Sequence, residues 1–190
     1  MEVLANAVHV LVLAGGPGSI GIAGGGGVGA FIVALAQREG IPERLLTEPQ
    51  PARRASAARL GATRVAEPPL ALLASSLPGG RVEVAVDAVG LATTRTDAMT
   101  AVGLGGRVIL LGLEEESSEL DLSDVIRREV QLVGSFGYTA AEFHLAASLL
   151  AELVDELAPL IEVEPLERGP EVFAALADRR DPRLKVALVP

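Results

Sequence analysis

Gly24, Gly26 and Gly29 stand at G-x-G-x-x-G spacing, and Glu48 follows at the end of the next apolar run, 44–47. A glycine turn of this kind, entered from a short buried strand (19–23) and leaving into a helix (28–38), aims helix N-terminal N–H groups at a pyrophosphate. The first glycine allows a tight turn. The second lets phosphate approach the backbone with no Cβ in the way, and the third lets helix and strand pack closely. An acid about 20 residues further on can accept hydrogen bonds from both hydroxyls of an adenosine ribose. These residues together describe a dinucleotide site.

Composition alone can produce such spacing in a chain with 21 glycines. A second copy exists in Gly16-Pro-Gly-Ser-Ile-Gly21, but the segment after it, Ile-Ala-Gly-Gly-Gly-Gly, is a poor helix because each glycine costs about 1 kcal/mol relative to alanine. That copy is read as a loop. The copy from Gly24 leads into Ala-Phe-Ile-Val-Ala-Leu-Ala-Gln-Arg-Glu-Gly40, an apolar helix with a glycine stop.

The elements that must position these residues alternate along the chain. A helix over 2–14 is stopped by Gly15-Gly-Pro-Gly18. Strands are expected at 19–23, 44–47, 63–66, 82–88, 107–113 and 131–136, and helices at 28–38, 52–60, 70–77, 93–102, 122–128 and 140–153. Six strands in βα alternation predict an α/β fold, a doubly wound parallel sheet with helices on both faces. After Pro159 the rhythm changes to an extended segment (160–166), a short helix (171–177) and a final strand (185–189). The expected organisation is a linking helix and turn (1–18), a dinucleotide-binding domain (19–159) and a C-terminal segment (160–190) that returns to another domain.

A chain of 190 residues can bury a substantial core. Its formal net charge of −9, with no basic cluster longer than Arg53-Arg54 or Arg179-Arg180, leaves no footprint for nucleic acid. Cysteine is absent, which removes disulfides, thiolate metal ligands and cysteine nucleophiles. No Asp, Glu, Lys or Arg lies between Glu2 and Arg38, long enough for a membrane helix, yet nine glycines and a proline between Gly15 and Gly29 would leave backbone groups unsatisfied in lipid. No membrane span is expected. The Met-Glu start lacks the basic residue of a secretory leader, so the expected setting is cytoplasmic.

In this order the phrases Glu2-Val-Leu-Ala-Asn-Ala-Val-His9, the turn at 24–29, Glu48-Pro with Arg53-Arg54, and Val84-Ala-Val-Asp-Ala-Val-Gly90 resemble the zinc-type medium-chain alcohol and polyol dehydrogenases. So do Gly105-Gly-Arg-Val-Ile-Leu-Leu-Gly112, Ile126-Arg-Arg-Glu129, Val133-Gly-Ser-Phe-Gly-Tyr-Thr139 and the closing Lys185-Val. The resemblance runs over essentially the whole chain and implies a Rossmann domain holding NAD(H). It assigns Gly24, Gly26, Val28 and Gly29 to the pyrophosphate, Glu48 to the ribose and Arg53 to the edge of the adenosine site. Ala88, Val89 and Gly90, then Leu111, Gly112 and Leu113, would line the path to the nicotinamide, with Ser135 and Phe136 at its far side. Lys185 matches a basic position near the phosphates, with a solvated charge at a strand edge as the alternative. Arg53 has the corresponding alternative of an exposed helix charge. Asp87 is read as a hydrogen-bonding group within the fold, and His9 as a packed helix residue.

The chain departs from the family in its metal chemistry. A catalytic zinc needs three protein ligands and an open position, and with no cysteine and only His9 and His144 no catalytic residue or metal site is expected here. Glu2 falls where polyol-type members place a carboxylate ligand, without visible partners. Zinc and an alcohol or polyol substrate are therefore expected only with the catalytic domain, which this chain lacks. Two other classes stay open: a non-catalytic NAD-binding or dimerisation module, and another α/β enzyme such as a methyltransferase. A homodimer or larger species is expected, because the helix from Glu2 and the segment from Leu160 would expose apolar area without their usual cover.

Overall fold

The computed structural model describes residues 1–178, 181 and 183–190. Helix α1 (Glu2–Ala14) ends where Gly15 takes a left-handed conformation (φ 74°) and returns its N–H to the Leu11 carbonyl. Strand β1 (Ser19–Ala23) follows, then α2 (Gly27–Arg38), β2 (Glu43–Thr47), α3 (Pro51–Arg59), β3 (Arg64–Ala66), α4 (Leu70–Ala74) and β4 (Val82–Asp87). The second half continues with α5 (Ala92–Ala101), β5 (Val102–Leu110), α6 (Leu122–Arg127), β6 (Gln131–Gly134) and α7 (Ala140–Glu152). The six strands form one parallel sheet in the order β3-β2-β1-β4-β5-β6. The order reverses between β1 and β4, and the crevice at the carboxyl ends of those two strands is where such sheets bind ligands.

Successive strand residues point to opposite faces, and the two faces of this sheet bury different sets. Ile20, Ile22, Leu46, Val84, Val86 and Ile109 pack with α1, α2 and α7. Leu45, Val82, Ala85, Val102 and Val108 pack with α4 and α5. Burial on both faces explains why the strands read as continuous apolar runs. Helix α1 belongs to this layer: Leu4, Ala5, Ala7, Val8 and Val10 are buried against α2 and α7. The expectation that the helix from Glu2 stands uncovered is corrected accordingly, because its own domain supplies the cover.

The strand expected at 107–113 begins earlier and ends earlier. Gly103-Leu-Gly-Gly106 does not break the chain; it forms an irregularity inside β5, across which the pairing with β4 shifts between Val82 and Val84. Gly106 lies against β4 there, and a Cβ would come within 2.7 Å of the Glu83 carbonyl oxygen. At the other end Leu111 and Gly112 leave the ladder because both N–H groups donate to the Asp87 carbonyl, at 3.0 and 2.9 Å. The strand expected at 131–136 similarly stops at Gly134.

Beyond α7 come a short helix α8 (Val154–Leu157), β7 (Ile161–Pro165), α9 (Gly169–Ala177) and β8 (Lys185–Val189). β7 and β8 pair in parallel as a separate two-stranded sheet. Ile161, Val163, Leu166, Phe173 and Val189 of this segment are exposed. Arg179 and Arg180, noted above as a basic pair, lie outside the described residues.

Candidate dinucleotide-binding site

Each glycine of the turn has a separate physical reason to be there. Gly24 has φ 104°, its N–H donates to the Thr47 carbonyl at 2.8 Å, and a Cβ on it would stand 2.7 Å from Val89 Cγ2. The turn is thereby wedged between the ends of β2 and β4. At Gly29 a Cβ would run into the carbonyl oxygen of Gly24, so only glycine lets the first turn of α2 lie on the end of β1. Gly26 is the extended N-cap of α2, and a side chain added there would meet nothing within 4 Å. No side chain caps α2. Its first N–H groups therefore face the open space above Gly26, with the positive end of the helix dipole behind them. Val28 sits half-buried in that first turn.

Glu48 closes one side of this space. Its side chain is buried, yet both oxygens have partners: Oε2 accepts from Gly25 N at 2.8 Å and Oε1 from Gln50 N at 3.0 Å. Arg54 donates to the Glu48 carbonyl at 2.6 Å. The carboxylate is thus held in one orientation against the glycine turn while keeping lone pairs for further donors. Next to it Thr47 Oγ1 is buried without a hydrogen-bond partner.

The other side is built by the ends of β4 and β5. Asp87 is fully buried and accepts from Val89 N and Gly90 N with one oxygen, both at 3.0 Å. This is the hydrogen bonding within the fold expected for it. Gly90 has φ 91° and faces Gly112 so closely that a Cβ on either would overlap the other segment's backbone. Ala88, Val89, Leu111 and Gly112 are half-buried and Leu113 is exposed. Ser135 follows β6, its N–H donating to the Leu110 carbonyl at 2.9 Å and its hydroxyl buried without a partner, and Phe136 beside it is 88% exposed. A cleft of about 500 Å³ opens past Gly90 between α4 and α5, lined by Pro69, Ala71, Ala92, Thr93 and Thr96.

Two further predicted residues have their hydrogen bonds or pairing in the C-terminal segment. Arg53 is half-buried, and its Nη2 donates to the carbonyls of Asp181 and Arg183 at 3.3 and 3.4 Å. It pins the C-terminal segment to α3, which replaces the alternative of an exposed helix charge. Arg183 in turn pairs with Asp181 at 2.5 Å and Glu164 at 2.7 Å. Its hydrogen bonds hold the Asp181 carboxyl below the usual carboxylate range, against the opposing effect of burial. Lys185 opens β8 opposite Ile161, exposed.

The sequence reading missed Gly25 as the donor to Glu48, because a backbone N–H leaves no residue signature.

The donor set fits a dinucleotide and does not fit zinc. Gly26 leaves open space at the uncapped N-terminus of α2, beside an oriented carboxylate. Among the described residues no group of three or more His, Cys, Asp and Glu side chains could hold a metal ion. Glu2 is exposed at the start of α1, where its carboxylate accepts from Asn6 at 2.6 Å. His9 packs between α1 and α7, its Nδ1 lying 2.9 Å from Glu142 Oε1. Among the described residues no helix is long and apolar enough to cross a membrane.

Residues 27–152 match the family model for zinc-binding dehydrogenase. L-threonine 3-dehydrogenase of Caldanaerobacter subterraneus subsp. tengcongensis is 28% identical over 168 residues, covering 84% of this chain and 48% of that protein. 2-Dehydro-3-deoxy-L-galactonate 5-dehydrogenase of Pseudoalteromonas atlantica is 31% identical over 157 residues, 80% of this chain and 46% of that one. Among solved structures, L-idonate 5-dehydrogenase from Escherichia coli superposes with a TM-score of 0.86 at 26% identity, over 100% of this chain and 55% of that one. A protein described as a zinc-binding dehydrogenase from Sinorhizobium meliloti, bound to NADP, gives 0.85 at 28% identity over 100% and 58%. The chain spans about half the length of the curated relatives it matches. These are dehydrogenases and not methyltransferases. With its glycine turn, its β1/β4 crevice and a model match over 27–152, the chain belongs to the zinc-binding dehydrogenase family.

Proposed function

We propose that this chain is the NAD(H)-binding half of an alcohol or polyol dehydrogenase. The observation that carries it is the open approach to Gly26, at the N-terminus of α2, next to a Glu48 carboxylate already oriented by Gly25. Gly24, Gly26, Val28 and Gly29 receive the pyrophosphate, and Glu48 accepts from the adenosine ribose. The loops 88–90 and 111–113 line the nicotinamide end, with Ser135 and Phe136 beyond them. Arg53 holds the carbonyls of Asp181 and Arg183 near α3, and Lys185 serves as a solvated charge.

Bound dinucleotide supplies the hydride acceptor, nicotinamide C4. The group that takes charge from the alcohol oxygen, zinc by family analogy, and the substrate pocket come from outside this chain. The Sinorhizobium meliloti relative is bound to NADP, but a carboxylate in the ribose pocket disfavours a 2′-phosphate through charge repulsion. NAD(H) is therefore the assigned cofactor. The exposed apolar residues Leu104, Leu113, Ile126 and Phe136 support association into a homodimer.

Titration of the purified chain with NADH and NADPH, followed by the coenzyme's own fluorescence, tests the proposal. Saturable binding with NADH the tighter ligand is expected. Absence of binding by either would sink it, and tighter NADPH would sink the cofactor assignment.

A further inference from the structure

Arg95 projects from α5 with its side chain 11% exposed and reaches two loops at once. Its Nη1 donates to Ser118 Oγ at 2.7 Å, and its Nη2 to the Glu115 carbonyl at 2.7 Å and, more weakly, to the Gly112 carbonyl at 3.4 Å. Its Nε lies 3.7 Å from Asp87 Oδ2, an oxygen without a hydrogen bond, while the other oxygen of Asp87 holds Val89 N and Gly90 N. Glu115 ties the same pieces together, its N–H donating to the Gly90 carbonyl at 2.9 Å and its carboxylate accepting from Ala92 N at 2.7 Å. The guanidinium thus spans 87–90 on one side and 112–118 on the other, where Gly90 and Gly112 already interlock.

We infer that Arg95 is a positioning residue for the nicotinamide end of the site, setting the spacing of loops 88–91 and 111–118 through Asp87 and the loop carbonyls. The inference rests on the dinucleotide assignment above. A planar fork with five donors matches this arrangement of one carboxylate, two carbonyls and one hydroxyl, and a lysine does not. Among the described residues no hydrogen bond or ion pair joins Arg95 to Glu48 or to residues 24–29, so its direct hold is on the nicotinamide side, and it reaches the glycine turn only through Val89, which lies against Gly24. The consequence is a selective effect. Loss of Arg95 loosens the part of the site that only the nicotinamide half occupies.

The test compares NADH with ADP-ribose, which lacks the nicotinamide, on the unaltered chain and on Arg95→Met and Arg95→Lys, with thermal unfolding recorded for each. Arg95→Met is expected to weaken NADH about tenfold, the effect of losing roughly one charge-assisted contact, and to leave ADP-ribose within about twofold. Arg95→Lys is expected to fall between, keeping a charge near Asp87 without the fork. Unchanged NADH affinity, or equal weakening of both ligands, overturns the positioning role. If Arg95→Met does not fold, the ratio of the two affinities in Arg95→Lys decides by the same criterion. Failure of the unaltered chain to bind either ligand overturns the dinucleotide assignment, and this inference with it.

Discussion

Glu48 Oε2 accepts a hydrogen bond from the backbone N–H of Gly25 at 2.8 Å, joining the end of β2 to the turn after β1. The acid proposed to meet the ribose is therefore held in one orientation by the fold itself, which would lower the ordering cost of binding. Glu48→Ala is expected to weaken NADH by about 2–3 kcal/mol, the range for lost hydrogen bonds to a charged group, and to narrow the gap between NADH and NADPH. Calorimetric titration of both coenzymes checks this. A preserved preference for NADH in the variant would move the discrimination to another residue.

Gly26 and Gly29 should respond in opposite ways to added side chains. Gly26→Val has open space for its side chain, so its unfolding midpoint is expected to stay near that of the parent while NADH binding is lost. Gly29→Ala forces a Cβ into the Gly24 carbonyl and is expected to destabilise the fold by roughly 1–3 kcal/mol. Thermal unfolding and NADH titration on the pair separate the two cases. A strongly destabilised Gly26→Val would show that the turn does not present open space.

Glu142 makes acid sensitivity local. The Thr139 backbone N–H first, then the hydrogen bond with His9, hold its carboxyl below the ordinary value of 4.5. In the unfolded chain that depression is absent, so the unfolded state binds more protons as pH falls. The contribution is complete above 4.5 and is lost as pH drops through the lower, folded value. Glu142→Gln keeps the capping-box acceptor but loses the charge facing His9 and the N-terminus of α7, and is expected to lower stability by roughly 0.3–1 kcal/mol at neutral pH and to flatten the acid limb of the melting temperature against pH. An unaltered acid limb would place that sensitivity elsewhere.

Activity should be missing where the metal donors are missing. The purified chain is expected to bind NADH yet leave simple alcohols and polyols unoxidised with or without added zinc, since no described cluster can hold the ion that would take charge from a substrate oxygen. A spectrophotometric assay of NADH formation checks this. Zinc-dependent turnover by the 190-residue chain would refute it.

Local chemistry alone determined much of this protein. Apolar runs of strand length, each followed by a helical segment and the first four of those segments closed by glycine, specify a parallel sheet covered on both faces, because buried strands need no polar alternation. Gly24 and Gly29 are legible because the turn's positive φ and the close approach of α2 to β1 demand glycine there, and Gly26 and Glu48 because their spacing from those two is that of a dinucleotide turn and its acid. Tertiary structure decided the rest. The glycines at 103–106 fall between the helix expected at 93–102 and the strand expected at 107–113, but pairing with β4 absorbs them as an irregularity in β5. Arg53 reads as an adenosine contact or a solvated charge, and the fold turns it toward the carbonyls of residues 181 and 183, 128 and 130 positions away. Asp87 and Arg95 become partners because β4 and α5 bring them within 3.7 Å in an interior where a buried carboxyl draws the nearest guanidinium. Long-range pairings of this kind follow from how the chain packs, and a residue's type and its immediate neighbours do not encode them.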